Sequence, residues 1–218
     1  MAEPVKTRPY RSEVRAEKAA ATRRAVLDAA RGLMVAKGYD ATTVAEIARV
    51  AGVAMDTVYA SVGRKPELVV AVIDMVLGSS DEPIPAQQRD YVVAIRAART
   101  GQEKLHLYAA SMGVVMPRTA PLIDALRRAG ETNDDCAAAW SALVDRRARN
   151  MLLFAADLRA SGDLRTDLDD REVADIVWST NAPEYYLLLA ARGWSTERYV
   201  RLLEDLWCRL LLEPGPAT

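Results

Sequence analysis

Apolar residues recur at helical spacing along nearly the whole chain, and no stretch alternates as a half-buried strand would. Val26, Ala29, Ala30, Leu33 and Met34 fall at i, i+3, i+4, i+7 and i+8, one stripe on a first amphipathic helix. Lys37-Gly38 ends it with a cation and a C-terminal capping residue. Thr43-x-x-Glu46 is a capping-box pattern, so a second, short helix starts near Thr42 or Thr43, turns Val44, Ile47 and Ala48 inward and ends near Val50. Gly52 marks a tight turn, and Met55–Val62 has room for about two helical turns. Pro66 sits where proline suits the first turn of a fourth helix, which runs through Val69, Val72, Ile73 and Val76 to Gly78.

Turn formers and two prolines between Gly78 and Pro85 make the clearest break in the chain. Beyond it the pattern predicts helices near 87–99, 102–115, 118–129, 134–160, 170–190 and 195–212, punctuated by Pro117, Pro121, Gly130, Gly162 and Gly193. Pro183 falls inside the fifth of these and is expected to kink it. In 195–212, Val200, Leu203, Trp207, Leu210 and Leu211 form one stripe, which Tyr199, Leu202 and Leu206 widen. A helix so broadly apolar needs burial on two sides, one against its own core and one against a partner subunit. The fold class expected is all-α.

Composition adds limits. Half of the 218 residues are apolar and 27% are charged, as in ordinary globular chains. The N-terminus has no apolar run of the secretory kind, and no apolar stretch approaches the ~20 residues of a membrane span, so the expected location is cytoplasmic, with no membrane partner. Cys136 and Cys208 with a single His106 offer too few soft ligands for a zinc or haem site, so no metal and no cofactor is expected. The net charge of −1 is uneven. Residues 1–65 carry 12 Lys and Arg against 7 Asp and Glu, a net +5, and the remainder carry 17 against 23, a net −6. A basic front on an acidic body suits a first segment that meets a polyanion.

Two short helices joined by a Gly-containing turn and preceded by a longer helix are the parts of a helix-turn-helix. Ala48 is small where the helices cross, Gly52 permits the turn and Val53 plugs the junction. The run from Arg24 to Ala71 resembles the DNA-binding domain of the tetracycline-repressor (TetR) family. The matching signs are Ala29-Ala30, Gly38-Tyr39, Thr42-Thr43-Val44-x-x-Ile47-Ala48, Ala51-Gly52-Val53, Thr57-Val58-Tyr59 and Lys65-Pro66-Glu67-Leu68. Three later stretches, Arg159–Arg165, Val177-Trp178 and Arg192–Tyr199, are similar to one subgroup of that family, while residues 86–157 match little.

The resemblance implies a non-enzymatic homodimer that binds a pseudo-palindrome in double-stranded DNA, most simply as a repressor, and is released by a small-molecule effector. By position it makes residues 20–66 the helix-turn-helix DNA-binding domain and residues 67–218 a helical ligand-binding and dimerisation domain, with 1–19 a basic N-terminal arm carrying Lys6, Arg8, Arg11 and Arg15. Met55–Ser61 becomes the recognition helix, entered through Ala54. Thr57 would reach a base edge or phosphate, Tyr59 and Lys65 phosphate, and Thr42 or Thr43 the backbone at the start of the second helix. Ala54 stands where the family commonly has serine, Val62 replaces the usual aromatic, and Asp56 reads as a carboxylate favoured by the helix dipole.

For the effector, polar or aromatic residues on apolar faces are the candidates: Tyr108, Met112, Met116, Trp140, Phe154, Trp178, Asn181 and Tyr185. No cluster of charges in the sequence announces an anionic ligand, so a small, largely apolar effector is expected. The candidate dimer contacts are Tyr199, Leu202, Leu203, Leu206 and Leu210. Two other readings compete: a helical enzyme, which lacks a phosphate loop, a Ser/His/Asp order or H-E-x-x-H, and a ligand-binding dimer whose headpiece no longer reads DNA.

Overall fold

The computed structural model describes residues 9–80 and 84–214, with side chains from Val14 onward. Lys6, Arg8 and the side chain of Arg11 from the expected arm lie outside it. The described chain is all-α: α1 (Pro9–Lys37), α2 (Val44–Ala51), α3 (Met55–Ser61), α4 (Lys65–Gly78), α5 (Asp90–Ala97), α6 (Gly101–Ala129), α7 (Asp134–Arg159), α8 (Asp170–Thr180), α9 (Pro183–Ala191) and α10 (Thr196–Leu211). A 3-10 turn at Ala86–Gln88 precedes α5. Among the described residues no helix is long and apolar enough to cross a membrane.

The helices close two hydrophobic cores. The first gathers Val26, Leu27, Ala30 and Met34 of α1, Ile47 and Ala48 of α2, Val58 of α3 and Leu68, Val69, Val72 and Ile73 of α4. It does not stop at residue 66. Leu122, Ile123 and Leu126 of α6 and Cys136 and Leu143 of α7 complete it. The second core, in the body, holds Tyr108, Met112 and Met116 of α6, Met151, Ala155 and Leu158 of α7, Val173 and Val177 of α8 and Tyr199, Leu203 and Trp207 of α10. Thus α6 and α7 each run through both cores and tie the headpiece to the body.

Three expectations are corrected here. Residues 102–115 and 118–129 are one helix, α6, although Pro117 and Pro121 lie inside it. Each proline removes a backbone donor. The helix nevertheless continues because side chains on both sides of the pair are anchored, Met112 and Met116 in one core and Leu122 and Leu126 in the other. Second, Pro183 does not kink a long helix. It opens a new one, α9, at the N-terminal position where its missing donor costs nothing, while Asn181 caps the end of α8. Third, Tyr199 and Leu203 are 1% and 0% exposed within the chain's own core, so neither can be covered by a partner. Leu202 and Leu206 are half-buried and Leu210 is 39% exposed, leaving these three on the outward stripe of α10.

Helices α6 and α10 lie close together. A Cβ at Gly113 would stand 2.5 Å from Cγ2 of Val200, so only glycine fits between them.

Candidate functional site

The headpiece surface is built by local signals. Thr43 caps α2 in a reciprocal box: its hydroxyl accepts from the Glu46 amide, and the Glu46 carboxylate accepts from the Thr43 amide. Lys37 also donates to that carboxylate and, with the Thr43 amide and hydroxyl, lowers the Glu46 pKa to about 2. Gly52 sits at φ 69°, the left-handed conformation that turns the chain from α2 into α3. Val58, fully buried, fixes the inner face of α3, and Arg23 donates to the carbonyl of Ser61 at 2.7 Å, tying down its C-terminal end.

The outer face of α3 follows from that anchoring. Met55 and Tyr59 are 44% and 43% exposed, Ala54, Asp56 and Ala60 are exposed, and Thr57 is half-buried. Ala54 is the N-cap of α3 and makes no side-chain cap. Lys65, at the start of α4, lies 4.1 Å from the centre of the Tyr39 ring and donates to the carbonyl of Asp40, while partial burial lowers its pKa. Tyr59, Lys65 and Tyr39 line the same surface cleft. Thr42 departs from its expected place. It is 0% exposed and its hydroxyl donates to the carbonyl of Gly38 at 2.7 Å, so Thr43 is the threonine at the surface.

The second feature is a cavity of about 460 Å³ at the seam of the two cores. Ile73 and Leu77 of α4, with Ile123 and Leu143, line it from the headpiece side, and Tyr108, Met112, Met116 and Phe154 from the body side. Tyr108 stacks on Trp207 at 5.4 Å and accepts a hydrogen bond from the amide of buried Asn181 at 2.6 Å. Burial pushes the Tyr108 phenol well above its ordinary pKa, so it stays a neutral hydrogen-bonding group.

Five of the eight expected effector residues, Tyr108, Met112, Met116, Phe154 and Asn181, therefore line one cavity. The other three lie elsewhere. Trp140 packs against the headpiece core, and Trp178 and Tyr185 pack against the body core outside the cavity lining. His106 is exposed and pairs with Glu204 at 3.0 Å. Sequence reasoning also missed charges: Arg89, Arg96, Arg146, Arg147 and Asp157 all line the cavity. Among 29 Lys and Arg nothing in their spacing marks these arginines, because they converge, two from α7 and two from a segment fifty or more residues before those. Arg146 grips Asp74 of α4 with both terminal nitrogens, at 2.7 and 2.9 Å.

Residues 26–72, which run from α1 to α4 and contain the capped α2, the Gly52 turn and the exposed α3, match the model of bacterial regulatory proteins of the tetR family. The match to the tetR family is thus carried by this N-terminal segment. No curated protein matches the chain. Solved structures share its fold over most of their length. A TetR-family transcriptional regulator from Rhodococcus sp. has a TM-score of 0.67 at 15% identity, covering 88% of this chain and 99% of its own. A transcriptional regulator from Saccharomonospora viridis in complex with choline has 0.64 at 16%, covering 88% and 98%. The regulator FadR from Bacillus subtilis in complex with stearoyl-CoA has 0.64 at 18%, covering 84% and 96%. The described fold, body included, is thus the one those proteins share.

Proposed function

We propose that this protein is a ligand-released repressor that binds an inverted repeat in double-stranded DNA as a homodimer. The observation that carries the reading is the pairing of an outward recognition surface with a cavity between the two cores. In this reading α3 enters the major groove, Met55, Thr57 and Tyr59 meet the DNA, and Lys65 and Thr43 hold phosphates beside it. Two-fold symmetry would set two copies of α3 in successive grooves, about one helical turn or more apart. The partner-facing surface is the outward stripe of α10, Leu202, Leu206 and Leu210. Residues 20–66 then form the DNA-binding unit, and 67–218 the sensing and dimerising unit.

The cavity is the effector site. Its size falls within the usual range for small-molecule pockets of roughly 300–1,000 Å³, and its walls are mostly apolar with a few convergent polar groups. Its position supports a release mechanism. A ligand lodged against Ile73, Leu77, Ile123 and Leu143 presses on side chains of the headpiece core itself, so filling the cavity and reorienting α3 are physically connected.

Selection from a random duplex pool tests the reading, with the Tyr59→Ala, Lys65→Ala double variant alongside. The expected outcome is an inverted repeat recovered by the wild type and much more weakly by the variant, with affinity falling steeply as salt rises. A folded wild-type dimer that enriches no sequence would sink the repressor reading and leave a ligand-binding dimer.

A further inference from the structure

We propose that the ligand of the cavity is an amphipathic anion, a carboxylate on an apolar chain or ring, with its charged end held by Arg147 and Arg89. The proposal rests on the reading of this cavity as the effector site and adds the chemical class.

Four arginines line the cavity, Arg89, Arg96, Arg146 and Arg147, against one carboxylate, Asp157. Arg89 is 6% exposed, its Nε is buried without a hydrogen-bond partner, and its nearest carboxylate is Asp74 at 3.6 Å. That carboxylate is already engaged by both terminal nitrogens of Arg146. Two guanidinium groups therefore share one negative charge. Asp157, the carboxylate in the lining, is neutralised by Lys104 at 2.9 Å. Arg147 has no ion-pair partner among the described residues. A single nitrogen, Nη2, makes all of its hydrogen bonds, to the carbonyls of Trp178 and Asn181 and to the Asn181 side-chain oxygen at 2.7 Å. Those carbonyls end α8, whose dipole supplies about half an elementary charge, and the Trp178 ring, 5.6 Å away, adds a weak attraction. Glu184 attracts the guanidinium at longer range without forming an ion pair, and burial still outweighs these attractions and lowers the Arg147 pKa.

Arg89 and Arg146 meet at Asp74, Arg147 reaches the end of α8, and all three line the same cavity. The unused donors are Nε and Nη1 of Arg147 and Nε of Arg89. A planar fork with one further donor complements the two oxygens of a carboxylate. In the same lining, Met112, Met116, Ile123, Leu143 and Phe154 offer apolar surface for the remainder of the molecule. A cationic ligand would meet the same unbalanced charge and be repelled.

Three probes with one tail separate the headgroup from the chain: decanoate, decanol and decyltrimethylammonium, titrated calorimetrically into the full-length protein. Wild type should bind decanoate about ten- to a hundred-fold more tightly than decanol, the range set by a charged hydrogen bond, and decyltrimethylammonium most weakly. Arg147→Gln should bring decanoate to the affinity of decanol while decanol itself is unchanged. Because Arg147 also caps α8, Arg89→Gln, which leaves the Asp74–Arg146 pair intact, serves as the second variant and should cut decanoate affinity several-fold. Equal binding of decanoate and decanol by wild type, or a preference that survives in both variants, overturns the headgroup assignment while the cavity remains a binding site. Binding of none of the three overturns the effector-cavity reading, and the proposal with it.

Discussion

The two cores of this protein are equally dry at their centres but are put together differently. In the headpiece, Val26, Leu27, Ala30, Ile47, Val58, Leu68, Val69 and Val72 are all 0% exposed and come from fewer than fifty consecutive residues, and α6 and α7 only close one side through Leu122, Ile123, Leu126, Cys136 and Leu143. Most are small or aliphatic, and Tyr39 is the one aromatic among the described buried residues of that core. In the body, Leu105, Tyr108, Leu158, Val177, Tyr199, Leu203 and Trp207 are drawn from more than a hundred residues and include three buried aromatics. Compact aliphatic packing holds α3 at a fixed attitude on the surface. Large flat rings from distant segments meet less completely, and the cavity opens beside Tyr108, at the margin where that packing gives way to the headpiece. One core thus fixes a surface and the other leaves room for a guest.

That contrast can be broken at three levels. The Leu202→Glu, Leu206→Glu double variant should turn the protein from dimer to monomer in sedimentation, because two charges on the outward stripe of α10 would be desolvated by any partner. Its headpiece should remain folded, and a variant that still sediments as a dimer would move the interface elsewhere. Next, Leu126→Ala and Leu203→Ala, one in each core and both starting from 0% exposure, should each cost roughly 2–5 kcal/mol in urea unfolding. Only Leu126→Ala should also weaken DNA binding while the far-ultraviolet circular dichroism stays native. Equal losses of DNA affinity would mean that the cores act as a single unit. The smallest change is Ala54→Ser, which supplies the missing cap of α3 and should raise stability by about 1 kcal/mol in the same assay.

What could be read from the sequence follows the same division. The headpiece was legible because its signals are local. Thr43 and Glu46 lie three residues apart, Gly52 makes a turn that needs it, and the stripe from Val26 to Met34 belongs to one helix. The body was legible as helices but not as contacts. Pro117 and Pro121 looked like breaks because proline's local cost is visible in a sequence, while the anchoring of α6 in two cores is not. Tyr199 and Leu203 share a broad apolar helix with Leu202 and Leu206, and only tertiary packing decides which side turns inward. Trp140 and Phe154 are equally good aromatic candidates on α7, fourteen residues apart, and fall in different cores. Arg89 and Arg147 carry no sequence signal, since their significance lies in the carboxylates that do not accompany them.

Gly113 has a bearing on how such a chain can evolve. One face of α6 at this level lines the cavity through Met112 and Met116, and the other lies against Val200 with no room for a methyl group. Changes to the cavity-lining positions alter the volume and chemistry of that space and leave the contact between α6 and α10 in place. A change at 113 does not, because a side chain there would press against Val200 and push on α10. The cavity wall and the packing of α10 can therefore diverge independently along this helix, with a single missing side chain keeping them apart.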